Sequence, residues 1–170
     1  MSKTMMHRVV YACFLFLLAC SSGNEKTSSA AGGSDLSKFK LSEINGEIID
    51  LAQYNGKTVF INVWATWCKP CIQEMPTIES MQKRLKDENM VVLMASNEEP
   101  EPIEGFIGRH AYDFRYVRLV NMEALNIQAL PTTFIFNTAG KIKFSDSGYR
   151  NWDDGNNIKL INNIINDHEE

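Results

Sequence analysis

The sequence predicts an α/β sandwich in which a mixed central β-sheet is flanked by helices, with a β-hairpin at its N-terminal edge. Three observations predict it. Two apolar runs, residues 57–64 and 90–96, flank a helical run over 69–88, which is the pattern of a β-α-β unit. Two further β-rich runs, TTFIFN at 132–137 and KIKFSD at 141–146, meet at Ala139-Gly140 as a second hairpin. A helical period over 153–167 then closes the chain. The 170 residues suffice for one domain.

Taken in order, FKLSEI and EIIDL flank Asn45-Gly46, a strong two-residue turn signal. KTVFINVW is mostly apolar, as a central strand buried on both faces should be. In the following helix Ile72, Met75, Ile78, Met81 and Leu85 recur at three and four residues, and Pro76 should kink it. MVVLMAS is the second buried strand. Helices are predicted over 102–110 and, briefly, over 121–126. In the last helix Ile158, Ile161, Ile164 and Ile165 form the apolar stripe.

The N-terminus has a different character. Lys3 and Arg8 precede an apolar run over 9–19, and polar residues follow at once. Residues 1–19 read as a secretory signal, since an apolar run this short falls below the roughly 20 residues that span a bilayer. Leu17-Leu18-Ala19-Cys20 resembles a bacterial lipobox, which implies cleavage before Cys20 and acylation of that residue. Residues 20–35 read as the lipidated Cys and a flexible tether, and 36–170 as the folded domain. The formal charge is −4, and loss of the signal makes the mature chain about −6. Nucleic acid is not an expected partner, and the membrane would be held by lipid instead of a basic patch.

Of four cysteines, Cys13 leaves with the signal and Cys20 takes lipid, so Cys68 and Cys71 remain in WATWCKPCIQEMP, residues 64–76. A bond between them closes too small a loop to restrain the unfolded chain. A structural zinc needs four ligands, and His110 and His168 bring no further Cys. Redox exchange fits better. Cys68 stands where a helix begins, and the free amides and dipole there favour a thiolate. Cys71, one turn on, is then the resolving thiol. Pro70 suits the first helical turn. Leu130, Pro131 and Thr132, just before an apolar strand, supply a docking edge for an extended substrate if the Leu130–Pro131 bond is cis.

GKTVFINVWATWCKPCIQEMP and LPTTFIFNTAGKI resemble the thioredoxin superfamily, and within it the TlpA/ResA-like thiol-disulfide oxidoreductases. The resemblance spans about residues 36–168 and implies a thioredoxin-like sandwich. Asn62 stands where thioredoxin has a buried Asp, and Glu74 stands where the ResA-like group has an acid near the resolving Cys. Pro131 follows Cys71 by 60 residues, which leaves room for the branch's central insertion at about 98–121. The resemblance implies a reductase of disulfides in exported proteins, with apocytochrome c among the candidate substrates, fed by a membrane thiol carrier. Cys68, Cys71 and Glu74 would carry the chemistry, with no cofactor and no metal. The alternatives are a disulfide oxidant or isomerase, a peroxiredoxin-type peroxidase, and a copper-binding protein of the same fold.

Other residues have plainer readings. Trp64 and Trp152 read as packing, Met75 and Met81 as core, and Trp67 as an exposed platform beside Cys68. The acidic run Glu98, Glu99, Glu101 and Glu104 reads as a solvated helix start, and His110 as a surface residue at a helix end.

Overall fold

The computed structural model describes residues 34–167. The signal segment, Cys20 and the tether up to residue 33 lie outside the described residues. Six strands form one sheet in the order β1-β4-β3-β2-β5-β6. They are β1 (Leu41–Ser42), β2 (Thr58–Val63), β3 (Met90–Ser96), β4 (Arg115–Leu119), β5 (Thr132–Phe136) and β6 (Ile142–Ser147). The helices are α1 (Lys69–Arg84), α2 (Pro100–Ile107) and α3 (Gly155–Ile165). Strands β2, β3 and β4 run parallel, whereas β1, β5 and β6 pair antiparallel with their neighbours. The sheet is therefore mixed and the architecture is thioredoxin-like.

Every residue of β2 is buried, which is why its sequence is apolar on both faces. Alternation along it divides two cores. Phe60 and Trp64 face a cluster that takes buried side chains from α1, α2 and α3. Val59, Ile61 and Val63 face a second cluster built with Leu36, Phe39, Ile49 and Tyr54. Short 3-10 turns at Leu36–Lys38 and Leu51–Tyr54 supply much of that second cover. Aromatic rings dominate the helical side: Trp64 lies 4.7 Å from Phe106, and Phe60 meets Trp152 edge-on at 4.8 Å.

Several predicted boundaries shift, each for a local reason. The N-terminal hairpin turns at Asn45-Gly46, where Gly46 takes φ of 92°, but its pairing stops at one bridge between Ser42 and Ile48. Asp50 then caps the next 3-10 turn through the Ala52 N–H, so the second arm cannot extend as a strand. Helix α1 continues through Pro76 and ends at Arg84. Helix α2 starts at Pro100, whose missing N–H costs nothing in a first turn, and stops at Gly108. Within the stretch predicted to hold an insertion, α2 and β4 form, and β4 takes a place between β3 and β1. At the junction between the predicted tether and the domain, Ser34 Oγ donates to Gly140 O at 3.1 Å, and Asp35 accepts from the Ile142 N–H at 3.2 Å. Gly140 itself needs to be glycine, because φ is 70° and a Cβ would strike Ser34.

Candidate active site

The register of β2 on β5 builds the site. Val63 pairs with Thr132, so the residues after β2 and those before β5 meet at one end of the sheet. The first of these loops carries Cys68, and the second carries Leu130 and Pro131. Cys68 is the N-cap of α1, and its Sγ accepts the Cys71 N–H at 3.3 Å. The sulfur thus occupies the place where a helix N-terminus offers unpaired donors and positive potential. Pro70 falls in the first turn, where it costs no hydrogen bond. Cys68 and Cys71 are disulfide-bonded, with their Cα atoms 5.3 Å apart. Cys68 keeps 4% of its surface exposed and Cys71 none. Of the pair, only Cys68 therefore presents any surface to a second protein.

Trp67 projects beside the pair, 73% exposed. The Leu130–Pro131 peptide bond is cis. Pro131 and Thr132 are buried, and Leu130 packs partly against both cores. Thr132 Oγ1 donates to Ala129 O at 2.7 Å, closing the turn before β5.

Glu74 shares the inner face of α1 with Cys71, three residues earlier, and is fully buried. One carboxylate oxygen, Oε1, accepts from Asn62 Nδ2 at 2.6 Å, and Oε2 accepts from the Arg150 backbone N–H at 3.0 Å. Asn62 Nδ2 also donates to Thr133 Oγ1 at 3.0 Å. Burial pushes the carboxyl up to about 7, against the opposing pull of the Arg150 N–H, the Asn62 amide, the Trp152 indole and the Arg150 charge. The indole N–H contributes without a well-aligned hydrogen bond to the carboxylate. A group with that proton affinity exchanges protons readily near neutrality.

Glu98 corrects the reading of the acidic run as a solvated helix start. It lies before α2, and its carboxylate accepts from the Thr66 N–H at 2.7 Å and from Thr66 Oγ1 at 2.8 Å. Ser96 Oγ adds a third donor at 3.1 Å. Glu98 thereby ties the loop before Trp67 and Cys68 to the end of β3. Nothing in local spacing signals this, because the partners are 32 residues apart. Glu98→Ala strands the Thr66 N–H and should cost about 1–3 kcal/mol in urea unfolding. An unchanged midpoint would show that the loop holds without it. His110 is likewise no free surface residue: its ring stacks on Phe106 at 3.9 Å and its Nδ1 lies 3.0 Å from Phe106 O.

A redox pair capping a helix that leaves a buried strand, beside a cis-proline turn on the neighbouring antiparallel strand, defines a thioredoxin-like thiol-disulfide oxidoreductase. Comparison with known proteins agrees with that class. The AhpC/TSA family profile matches residues 33–145, and the chain belongs to this family as a ResA-like thiol-disulfide oxidoreductase. It is 34% identical over 119 residues to the thiol-disulfide oxidoreductase ResA of Halalkalibacterium halodurans, covering 68% of each chain. With the ResA protein of Geobacillus kaustophilus it shares 33% identity over 147 residues, 83% of each chain. Two solved structures share the fold. A thiol:disulfide interchange protein of Chlorobium tepidum superposes with TM-score 0.62 at 20% identity, covering 75% of this chain and 92% of that one. StoA of Bacillus subtilis gives 0.59 at 22% identity, covering 72% and 95%.

Proposed function

We propose that the chain is an exported, lipid-anchored reductase of disulfides in other exported proteins, with apocytochrome c among its candidate substrates. In this reading the Cys68 thiolate attacks a substrate disulfide, forming a mixed disulfide and releasing one substrate thiolate. Cys71 passes its proton to the Glu74 carboxylate and attacks Cys68 Sγ, which releases the second substrate thiolate and forms the Cys68–Cys71 disulfide. Two electrons have then passed to the substrate, and a membrane dithiol carrier must return them. Trp67 and Leu130 offer the docking surface around Cys68, and the cis turn at Pro131 and Thr132 shapes it from beneath.

The observation that carries the reducing direction is the buried carboxyl of Glu74 one turn beyond Cys71. A strong oxidant owes its potential to a stabilised reduced form, whose thiolate sits in favourable potential. Here the dry pocket behind Cys71 already holds a carboxylate, so a second negative charge is disfavoured and the dithiol gives up its electrons more readily. The opposite reading, a disulfide oxidant, draws on the helix N-terminus at Cys68. The two separate on the reduction potential of the pair at pH 7. A value below about −220 mV is expected, near the ~−270 mV of thioredoxin, whereas one near ~−120 mV would make the protein an oxidant.

The anchor rests on Leu17-Leu18-Ala19-Cys20 and the polar stretch behind it. Among the described residues no helix is long and apolar enough to cross a membrane. Mass spectrometry of the mature N-terminus of the exported chain decides the matter: a diacylated or triacylated Cys20 is expected, and an unmodified start elsewhere ends the proposal.

A further inference from the structure

Residues 148–152, between β6 and α3, fasten three parts of the site together. Gly148 N–H donates to Pro131 O at 2.8 Å, Arg150 N–H to Glu74 Oε2 at 3.0 Å, and Trp152 N–H to Thr77 Oγ1 at 3.1 Å. The segment is thus bonded to the proline turn, to the buried acid and to the body of α1. The Arg150 side chain is held as firmly as its backbone. Nη1 donates to Asn157 Oδ1 at 3.0 Å, and Nη2 pairs with Asp146 Oδ2 at 2.5 Å. The guanidinium also lies over the rings of Phe144 and Trp152, 4.9 and 5.6 Å from their centroids. Asp146 pairs across the sheet with Thr133, and Thr133 pairs with Asn62. Glu74, Asn62, Thr133, Asp146 and Arg150 therefore close a ring that crosses β2, β5 and β6.

We propose that Arg150 is a positioning residue for Glu74: its paired and stacked guanidinium fixes the backbone N–H that holds Oε2. The proposal deepens the reading of Glu74 as proton acceptor for Cys71 and rests on it. The neighbours of the carboxyl are of few kinds. Helix α1 offers Cys71, β2 and β5 offer the neutral Asn62 and Thr133, and the 148–152 segment offers Trp152 and the cation of Arg150. The Asp146 carboxylate is paired with the Arg150 guanidinium. Removing Arg150 takes away the cation and leaves the Asp146 anion unneutralised, and both changes favour protonation of Glu74. The Arg150 and Asp146 side chains are partly exposed, so water screens the effect to about half to one pH unit.

The test is a titration of the oxidised full-length chain labelled with 13C at the glutamate carboxyl carbons, with the Glu74 signal assigned by its loss in Glu74→Gln. In Arg150→Gln the midpoint should rise by about half to one pH unit, and Arg150→Lys should bring most of it back. Asp146→Asn keeps the arginine and removes its counter-ion, so its midpoint should fall, a readout that survives if Arg150→Gln does not fold. Midpoints unchanged in every variant that folds would overturn the proposal. The pH dependence of mixed-disulfide resolution is measured separately. If the Glu74 midpoint moves while that profile stays in place, Arg150 keeps its role and the proton-acceptor reading of Glu74 falls.

Discussion

Replacing Cys71 by Ser should leave the protein covalently joined to its substrates, while replacing Cys68 by Ser should abolish joining altogether. Cys68 caps α1, accepts the Cys71 N–H and is the residue of the pair that keeps exposed surface. Attack therefore begins there, and without Cys71 the mixed disulfide has no internal thiol to resolve it. Both single variants should lose disulfide-reductase turnover to the uncatalysed background. They differ in what accumulates. Non-reducing electrophoresis with mass spectrometry should find adducts through Cys68 in Cys71→Ser only. Adducts through Cys71 in the Cys68→Ser protein would reverse the assignment.

Glu74→Gln should slow resolution of the mixed disulfide by roughly a hundredfold at pH 7 while leaving the first attack intact, as expected for loss of a positioned base. The wild-type rate should rise with pH through about 7, where the carboxyl ionises, and the variant should lose that inflection. Stability gives an independent reading. The folded carboxyl is raised to about 7 from its ordinary value of 4.5, so the folded state holds the proton more tightly than the unfolded chain. Its contribution is full below about 4.5 and is lost as pH rises towards and through 7, amounting to about 3 kcal/mol. Urea midpoints of the oxidised wild type should thus fall between pH 5 and 8, and those of Glu74→Gln should fall much less. Parallel curves and unchanged resolution rates would leave Glu74 with neither role.

The strands and helices that position the Cys pair were legible in the sequence because long apolar runs and fixed periods specify them locally. The six buried residues of β2 and the inner face of α1 are cases in point. Glu74 was legible only as a spacing and a resemblance. Its burial follows from where α1 lies on the sheet, and that depends on packing by Phe60, Trp152 and α3. Glu98 and Arg150 were not legible as part of the site. Glu98 acts on Thr66, 32 residues away, and the Arg150 N–H acts on Glu74 across 76 residues. A backbone donor is present at almost every residue, so no residue type marks it. The hairpin arm over 47–51 pairs at Ile48 and goes no further, because Asp50 offers the backbone a competing cap.

Ser34 is bonded at Gly140, in the turn that follows β5, while Pro131 stands just before the same strand. The five residues of β5 separate these points, about 17 Å of extended chain. The redox pair belongs to the Pro131 end, since Val63 pairs with Thr132. Ser34 is therefore fastened at the end of β5 opposite the sulfurs, and what is bonded there does not compete with a client for the ground around Cys68.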